Sequence, residues 1–514
     1  MDAASHQPPL DPVAYSSLLA QQRARASQAE AKKNLGQFFT PQPIAAFMAA
    51  LCTVETAELT VLDPGAGTGI LSCALCLAQV DAKPKPRSIK LVAYEIDATV
   101  VADLEAAYAA LRKALAKRRV KLSFEIRQSD FILDSALRAQ RGALETFHVI
   151  IMNPPYFKVG KADPRALALP QVCHGQPNIY ALFMAQAAQL LLPGGQLISI
   201  TPRSFASGEY FRKFRSFMFR SLRPDRLHLF QRRDRAFKED SVLQESVISR
   251  FVKDVQAKRS PMLAITSSHG VDDIGQSQSL LLPLSRVLDQ ASAAQVLRMP
   301  ANAKEVEALS RLEGFDNTLQ SLGCSVATGR IVAFRCQAWM RDEAGSSGTT
   351  APLLWLHNLR QLSVRWPQPL AGRPQHFAIT AASQKLLIPA ANYVIVRRFS
   401  AKEEPARIVA APLEAAQLGS AWLGVENHIN VITLPAHADT AVFASALAAY
   451  LNSQAVDEYV RVINGNTQIG AAELLALPAP SVAVLVELAT AQVDRSNEHP
   501  ALRGRRAASG IRLG

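Results

Sequence analysis

Phe147-His148-Val149-Ile150-Ile151-Met152-Asn153-Pro154-Pro155-Tyr156 is the stretch on which the reading of this chain turns. Its first six residues form a short, apolar, centrally β-branched run, the pattern of a strand buried on both faces of a parallel sheet. Neither proline can donate to a ladder, so the pair ends that strand and leaves Asn153 at its carboxyl end. Open α/β sheets place their ligands at that edge.

Asn-Pro and Pro-Pro are also ordinary chain breakers, and by itself the tetrad is as compatible with a stiff turn as with a site. The chain upstream separates the two readings. Thr60-Val61-Leu62-Asp63-Pro64-Gly65-Ala66-Gly67-Thr68-Gly69 is a strand feeding a glycine-rich turn, followed by an apolar helical stretch from Ile70 to Val80. Gly65 and Gly67 allow positive φ and close backbone approach, and the helix amino terminus offers unpaired N–H groups to an anion. The turn lacks the strict G-x-G-x-x-G of dinucleotide folds. Leu91-Val92-Ala93-Tyr94-Glu95 is a second strand closed by a carboxylate, where a ribose diol is gripped in such sheets. Leu122-Ser123-Phe124-Glu125-Ile126 leads to Ser129-Asp130-Phe131, which puts Asp130 where it can accept from an adenine amino group and Phe131 where it can pack the ring.

An Asn side-chain oxygen beside a proline carbonyl suits one chemistry in particular. A planar, conjugated amine is a poor nucleophile because its lone pair is delocalised. Two acceptors for its N–H groups draw the nitrogen toward tetrahedral geometry and localise that pair. Asn153 and Pro154 are the acceptors, and Tyr156 can stack on the ring.

With these motifs in this order, the chain resembles the gamma class of S-adenosylmethionine-dependent DNA adenine-N6 methyltransferases. The resemblance implies a Rossmann-like seven-stranded mixed α/β sheet with helices on both faces, and a carboxyl-terminal α+β target-recognition domain. It assigns Asn153, Pro154, Pro155 and Tyr156 to catalysis. Gly36-Gln37-Phe38-Phe39-Thr40-Pro41 looks like the family's amino-terminal element, so Phe39, Thr40 and Pro41 join Asp63, Gly65, Gly67, Glu95, Asp130 and Phe131 as cofactor-binding residues. Asn178-Ile179-Tyr180-Ala181-Leu182-Phe183 resembles the next motif, and Gln196 to Pro202 the strand after the Gly194-Gly195 turn. Leu227 to Phe230 and Ser246 to Phe251 read as the closing hairpin. Phe237 between them stands where relatives carry an aromatic for the flipped base, which it would sandwich with Tyr156.

The second half resembles the same family's recognition region through Ala327-Thr328-Gly329-Arg330, Arg398 to Glu404, Glu426-Asn427-His428-Ile429-Asn430 and Tyr450-Leu451-Asn452-Ser453. Lys158, Arg330, Arg398, Asn427 and His428 are the candidate DNA contacts. Arg and Asn forks match guanine and adenine edges in the major groove. His428 has no nucleophile-elbow context that would make it catalytic. Short β-like pieces are expected over 329–335, 353–356, 393–398 and 428–432, and helices over 439–451 and 454–463.

A length of 514 residues exceeds a single core. The spans expected are an arm and helix over 1–35, the catalytic domain over 36–255, a Ser/Gln-rich connection over 256–300, the recognition domain over 301–480 and a tail over 481–514. A net charge of +13 suits a polyanionic partner. Six irregularly spaced cysteines suggest a reducing compartment. Cys73 and Cys76 have metal-ligand spacing, but no second pair completes a site, and they read as buried thiols with no metal required. No run approaches about 18 apolar residues, and the start carries no secretory pattern. A cytoplasmic, nucleoid-associated protein is expected.

The expected activity is site-specific methyl transfer from S-adenosylmethionine to N6 of a flipped adenine in duplex DNA, with S-adenosylhomocysteine as product. The expected partners are double-stranded DNA and a separate restriction endonuclease sharing its target sequence. The same tetrad also fits a protein glutamine amide or adenine in structured RNA, and the fold alone fits a non-catalytic DNA-binding relative. A protein-glutamine enzyme has little use for a second domain of this size, and nothing resembles an RNA module.

Overall fold

A computed structural model describes residues 11–26, 40–175, 177–231, 246–253, 261–276, 279–290, 294–346, 348–400, 404–436, 439–464 and 468–487. The chain divides into two units, Met1–Ala303 and Lys304–Gly514.

The first unit is built on one sheet. Its strands are β1 (Glu58–Pro64), β2 (Ser88–Tyr94), β3 (Lys121–Arg127), β4 (Phe147–Met152), β5 (Leu191–Pro202), β6 (Leu222–Phe230), β7 (Ser246–Lys253), β8 (Met262–Ser268) and β9 (Leu280–Pro283). They lie in the order β3-β2-β1-β4-β5-β7-β6-β8-β9. β1 pairs in parallel with β2 and β4, whereas β7 runs antiparallel to β5 and β6. Strand order reverses at β1: the chain builds outward to β3 and then returns to place β4 on the other side. The carboxyl ends of β1 and β4 therefore flank the switch point, where such sheets form their ligand crevice.

The apolar runs are continuous because both faces are covered. Leu62, Val92, Ile150 and Leu197 face one core, which includes Ile179, Leu182 and Phe183 of the helix Ile179–Gln189. Val61, Leu91, Val149 and Ile198 face the other, with Leu71, Leu75, Leu104 and Leu111 of the helices Ile70–Asp81 and Ala98–Lys117.

Two expected boundaries change. The connection expected over 256–300 belongs to the first unit, because β8 pairs in parallel with β6 and β9 closes the edge, adding two strands to the expected seven. Buried arginines pin the chain beyond β9: Arg215 donates to the Ala294 carbonyl at 2.8 Å and Arg203 to the Met299 carbonyl at 3.2 Å. The expected arm over 1–35 contributes a helix, Pro12–Ala26, to the same unit. Val13 and Ser16 are buried, and Arg23 pairs with Asp103. Phe39, Phe237 and the expected tail beyond Glu487 lie outside the described residues.

The second unit is α+β. Strands Ser325–Thr328, Ile429–Thr433, Tyr393–Arg397 and Ala410–Leu413 form an antiparallel sheet in that order. Phe443 and Leu447 of the helix Thr440–Leu451 share its core with Val394, Val396 and Ile432. The helix Gln454–Ile463 falls where expected. The piece expected as a strand over 329–335 is a single bridge at Ile331 followed by a 3-10 turn, Ala333–Arg335. At Gly329 a Cβ would lie 2.2 Å from the Glu426 carbonyl oxygen, so only glycine permits the chains to approach this closely.

A fragment ending at residue 303 is expected to fold and one ending at 255 to aggregate. The longer fragment keeps Leu263, Ile265, Leu284, Val287, Leu288, Leu297 and Met299, all buried. At ~1.5–3 kcal/mol for each buried aliphatic side chain, their combined loss is as large as a typical net stability of roughly 5–15 kcal/mol. Solubility and urea unfolding of the two fragments check this; a cooperatively folding 1–255 fragment would contradict the role given to β8 and β9.

Candidate active site

β1 ends in Asp63-Pro64, and the chain turns through Gly65 at φ 79° and Gly69 at φ 81° into the helix Ile70–Asp81. Left-handed backbone of this kind is what glycine supplies at little cost. The turn is held from β2. The Gly65 and Ala66 amides both donate to the Tyr94 carbonyl at 2.9 Å. The Gly67 amide donates to Glu95 Oε2 at 2.8 Å, and the Asp97 amide to Glu95 Oε1 at 2.9 Å. Glu95 therefore ties the loop after β1 to the loop after β2. Burial raises its carboxyl pKa, while the Asp97 and Gly67 amides oppose the shift. An ionised carboxylate has about four lone-pair sites, so two such bonds leave it capacity for a diol.

Asp63 is in a different situation. It is 1% exposed, and neither carboxyl oxygen has a hydrogen-bond partner of normal geometry among the described residues. Burial pushes its pKa up to about 7, Ser72 eases the charge, and Glu95 adds to the rise. The Thr68 hydroxyl in the following turn is also buried with no hydrogen-bond partner among the described residues. An unsatisfied carboxyl and hydroxyl under a positive-φ glycine turn fit a ligand that brings a cationic amine and polar hydrogens of its own.

Across the switch point, Asn153 follows β4. Its Nδ2 donates to Thr40 Oγ1 at 3.1 Å, and the Tyr156 hydroxyl donates to its Oδ1. The same hydroxyl lies 2.9 Å from the Ile200 carbonyl at the end of β5, so one proton stands between two acceptors. Tyr156 meets Tyr180 edge to face at 6.2 Å, and Tyr180 stacks on Phe211 at 5.5 Å and bonds Ser204 Oγ at 2.8 Å. Burial holds both tyrosine hydroxyls well above their ordinary pKa. Pro154 is buried and Pro155 half-buried.

Thr40, Pro41, Asp63, Gly65, Gly67, Glu95, Asn153, Pro154, Pro155 and Tyr156 thus sit in or beside the loops at the carboxyl edge of the sheet. Asp130 and Phe131 follow β3 at the same edge, and each already has partners within the protein. Asp130 caps the helix Phe131–Gln140, its Oδ1 accepting from the Ile132 and Leu133 amides at 2.9 and 3.0 Å, and Arg165 lies 3.8 Å from its other oxygen. Phe131 is a core residue, edge-on to Tyr94 at 5.2 Å and packed on Phe183 at 5.3 Å. The segment after the tetrad is anchored by Val159, Ala166, Leu169 and Val172, all buried, while Lys158 remains exposed. Sequence reasoning missed Tyr180, Ser204 and the Ile200 carbonyl. Tyr180 lies within the Asn178–Phe183 motif, but nothing local announced its ring contacts.

In the second unit, Arg330, Arg398, Asn427 and His428 are brought to one end of three adjacent strands, through the register Thr328↔Asn430 and Arg397↔Ile429. Arg398 donates to the Asn427 carbonyl at 3.1 Å and to Gln468 Oε1 at 3.2 Å. His428 is held by Glu426 and packs on Phe399 at 4.7 Å. Arg330 is exposed and reaches the Lys385 carbonyl at 3.1 Å. Asn430 and Asn452, which share the motifs of this region, are structural. Asn430 bridges Thr328 and the Ile469 carbonyl, and Asn452 clamps Ala410 from the end of the helix Thr440–Leu451. Cys73 and Cys76 are buried free thiols. No group of three or more His, Cys, Asp or Glu among the described residues is placed to hold a metal ion. No helix among them is long and apolar enough to cross a membrane.

Residues 86–237 match the family model described as the Eco57I restriction-modification methylase. The type II methyltransferase M.PstI of Providencia stuartii is 31% identical over 464 residues, covering 90% of this chain and 90% of its own. M.BsuBI of Bacillus subtilis, also a type II methyltransferase, is 31% identical over 464 residues, 89% of this chain and 90% of its own. Among solved structures, the type IIG restriction endonuclease BpuSI aligns with 92% of this chain and 62% of its own at 12% identity, with a TM-score of 0.46.

Asp63 makes the stability of the cofactor-free protein depend on pH. Its folded pKa of about 7 lies above the ordinary 3.8, so between those values the native state binds more protons than the unfolded chain. Stability from this group is then present below about pH 4 and is lost as pH rises toward about 7. Asp63→Asn removes the titration. Relative to the wild type, its unfolding free energy should climb across that window by an amount on the order of a few kcal/mol. Urea unfolding at closely spaced pH values measures the difference, and curves that stay parallel would show that Asp63 is not the responsible group.

Proposed function

The chain belongs to the type II DNA methyltransferases of restriction-modification systems, in the gamma class of S-adenosylmethionine-dependent adenine-N6 enzymes, and from that premise we propose how its own residues divide the work. The observation that carries the proposal is the Asn153 amide at the carboxyl end of β4, beside the glycine turn at the end of β1. S-adenosylmethionine supplies an electrophilic methyl group on a sulfonium. Phe39, Thr40 and Pro41 hold its methionine end together with Asp63, whose unsatisfied carboxyl accepts the ammonium. Gly65 and Gly67 let the backbone approach, Glu95 accepts the ribose hydroxyls, and Asp130 with Phe131 closes the adenine end.

The target adenine leaves the base stack, because N6 inside the duplex is out of reach of these acceptors. Asn153 Oδ1 and the Pro154 carbonyl take its two N–H groups and localise the nitrogen lone pair. Pro155 stiffens the turn, and Tyr156 stacks on the base, opposed by Phe237. In the second unit Arg330, Arg398, Asn427 and His428 read or hold the DNA, with Lys158 contacting phosphate from the first unit. Phosphate contacts position a protein on DNA, and base contacts specify the site. A restriction endonuclease acting on the same sequence is the partner this implies, in the cytoplasm beside the nucleoid.

Sequencing N6-methyladenine in DNA incubated with the enzyme tests the proposal and identifies the site. Asn153→Ala should keep cofactor affinity while losing roughly 10²–10³ in kcat, the usual effect of removing one such stabilising group. Near-normal turnover would sink this mechanism. Glu95→Ala should instead weaken the cofactor, by about 1.5–3 kcal/mol for each hydrogen bond lost to a charged acceptor. Isothermal titration decides this, and an unchanged Kd would show that another acid grips the ribose.

A further inference from the structure

Phe334 is 72% exposed, more than any other large apolar side chain among the described residues. A scattered surface hydrophobe needs no explanation of its own, but this one is held rigidly and flanked by charge. It sits in the 3-10 turn Ala333–Arg335, which is pinned on both sides. Before the turn, Ile331 is fully buried, its amide donating to the Val425 carbonyl at 3.1 Å and its carbonyl accepting from the Asn427 amide at 2.9 Å. After it, Cys336 is buried, and its amide donates to the Ala333 carbonyl at 3.1 Å. The ring is thus presented on a fixed support beside the turn that carries Asn427 and His428.

Arg335 covers one face of the ring, its guanidinium carbon 5.2 Å from the centroid. Neither Arg335 nor Arg330 has a carboxylate partner among the described residues, and Arg330 reaches only the Lys385 carbonyl. Between Asp316 and Asp342 the chain has three arginines and no acid. An apolar pocket on a protein would take the ring but leave these guanidiniums without counter-charge, whereas nucleic acid supplies both base surface and phosphate. A phenyl ring has no donor or acceptor with which to read a base edge. What a duplex offers it is a thymine methyl, or a base face exposed where a base-pair step is opened. A methyl asks only for a small apolar contact. A projecting planar ring with a cation on its back fits the opened step, where the ring meets a base and the guanidinium meets phosphate charge.

We infer that Phe334 is a DNA wedge: its ring stacks on a base at an opened step of the duplex, and Arg335 supplies the adjacent charge. This rests on the reading that the second unit holds DNA, and it adds a contact that is neither hydrogen-bonded base readout nor phosphate binding. Because base-pair steps differ in how readily they open, such a contact makes the enzyme sensitive to sequence where it reads no edge.

The test uses the full-length protein and a duplex bearing the sequence found by N6-methyladenine sequencing. 2-Aminopurine is placed in turn at each purine in and beside that sequence, other than the target adenine. At saturating protein, one probe in the wild-type complex should leave its stacked fluorescence, and in the Phe334→Ala complex it should return to it. Phe334→Ala should weaken duplex binding roughly ten-fold or more, the scale of one lost base–aromatic stack. Urea unfolding and the Kd for S-adenosylhomocysteine should not change, since the side chain is exposed and lies in the second unit. Phe334→Leu, still an apolar wedge, should bind between the two.

Unchanged duplex binding in Phe334→Ala would overturn the inference. So would a probe signal that survives the substitution. The same holds for an affinity difference between wild type and Phe334→Ala that vanishes when uracil replaces thymine, because the ring would then be touching a methyl group. Arg330→Ala, assayed beside them, separates the two levels. If neither variant affects duplex binding, the reading of the second unit as the DNA face falls with the wedge; if Arg330→Ala weakens binding and Phe334→Ala does not, only the wedge falls.

Discussion

The parallel pairing of β1 with β4, after the chain has already built β2 and β3 on the other side, is the constraint on which the site depends. Val61↔Val149 and Leu62↔Ile150 put the two strands in register and bring their carboxyl ends out together. Each face of the sheet around β1 and β4 is covered by its own core, and the polar side chains Asp63 and Asn153 stand at the carboxyl edge. Asp63 and Asn153 lie at adjacent strand ends, although the chain passes through three strands and three helices between them. A ligand crevice at such a switch point is a consequence of topology before any side chain is chosen.

Within that crevice the polar groups differ in how far the protein satisfies them. Glu95 is held by two backbone amides and acts as a structural tie as well as an acceptor. Asn153 is held between two hydroxyls that can exchange roles. Asp63 is eased in part by Ser72, and its raised pKa expresses the cost of taking a carboxyl out of water. This gradation is what a site for a cationic, polyfunctional cofactor requires: fixed dipoles where geometry must not move, and an unmet acceptor where the ligand brings the counter-charge.

The second unit shows how the same residue type takes opposite roles. Asn427 and Asn430 are three residues apart in one motif. Asn427 stands in the turn beside Arg398 and His428, half-buried, whereas Asn430 points into the sheet and spends its amide on Thr328 and Ile469. A buried amide has to find internal partners, and an amide at a strand end is freed from that requirement by solvent.

Short-range physics made much of this chain legible without coordinates. Proline ends β4 before Asn153, glycine carries the turn after β1 through positive φ, and apolar runs flanked by those breakers mark β1 to β7 and the helices Thr440–Leu451 and Gln454–Ile463. Each depends on residues within a few positions of one another. The partners that complete the site do not. Thr40 meets Asn153 across 113 residues, and Tyr156 meets the Ile200 carbonyl across 44. The 262–283 stretch joins the sheet only because β6 offers it an open edge, and Phe131 becomes core only because Tyr94 and Phe183 close over it. The sequence by itself determined the strand ends and the residue types that stand there, since those depend on local backbone limits and hydrophobic period. Which hydrogen bonds those residues make, and which of them are left for a ligand, only the tertiary structure decided, because donors and acceptors distant in the chain carry no local signal of their pairing.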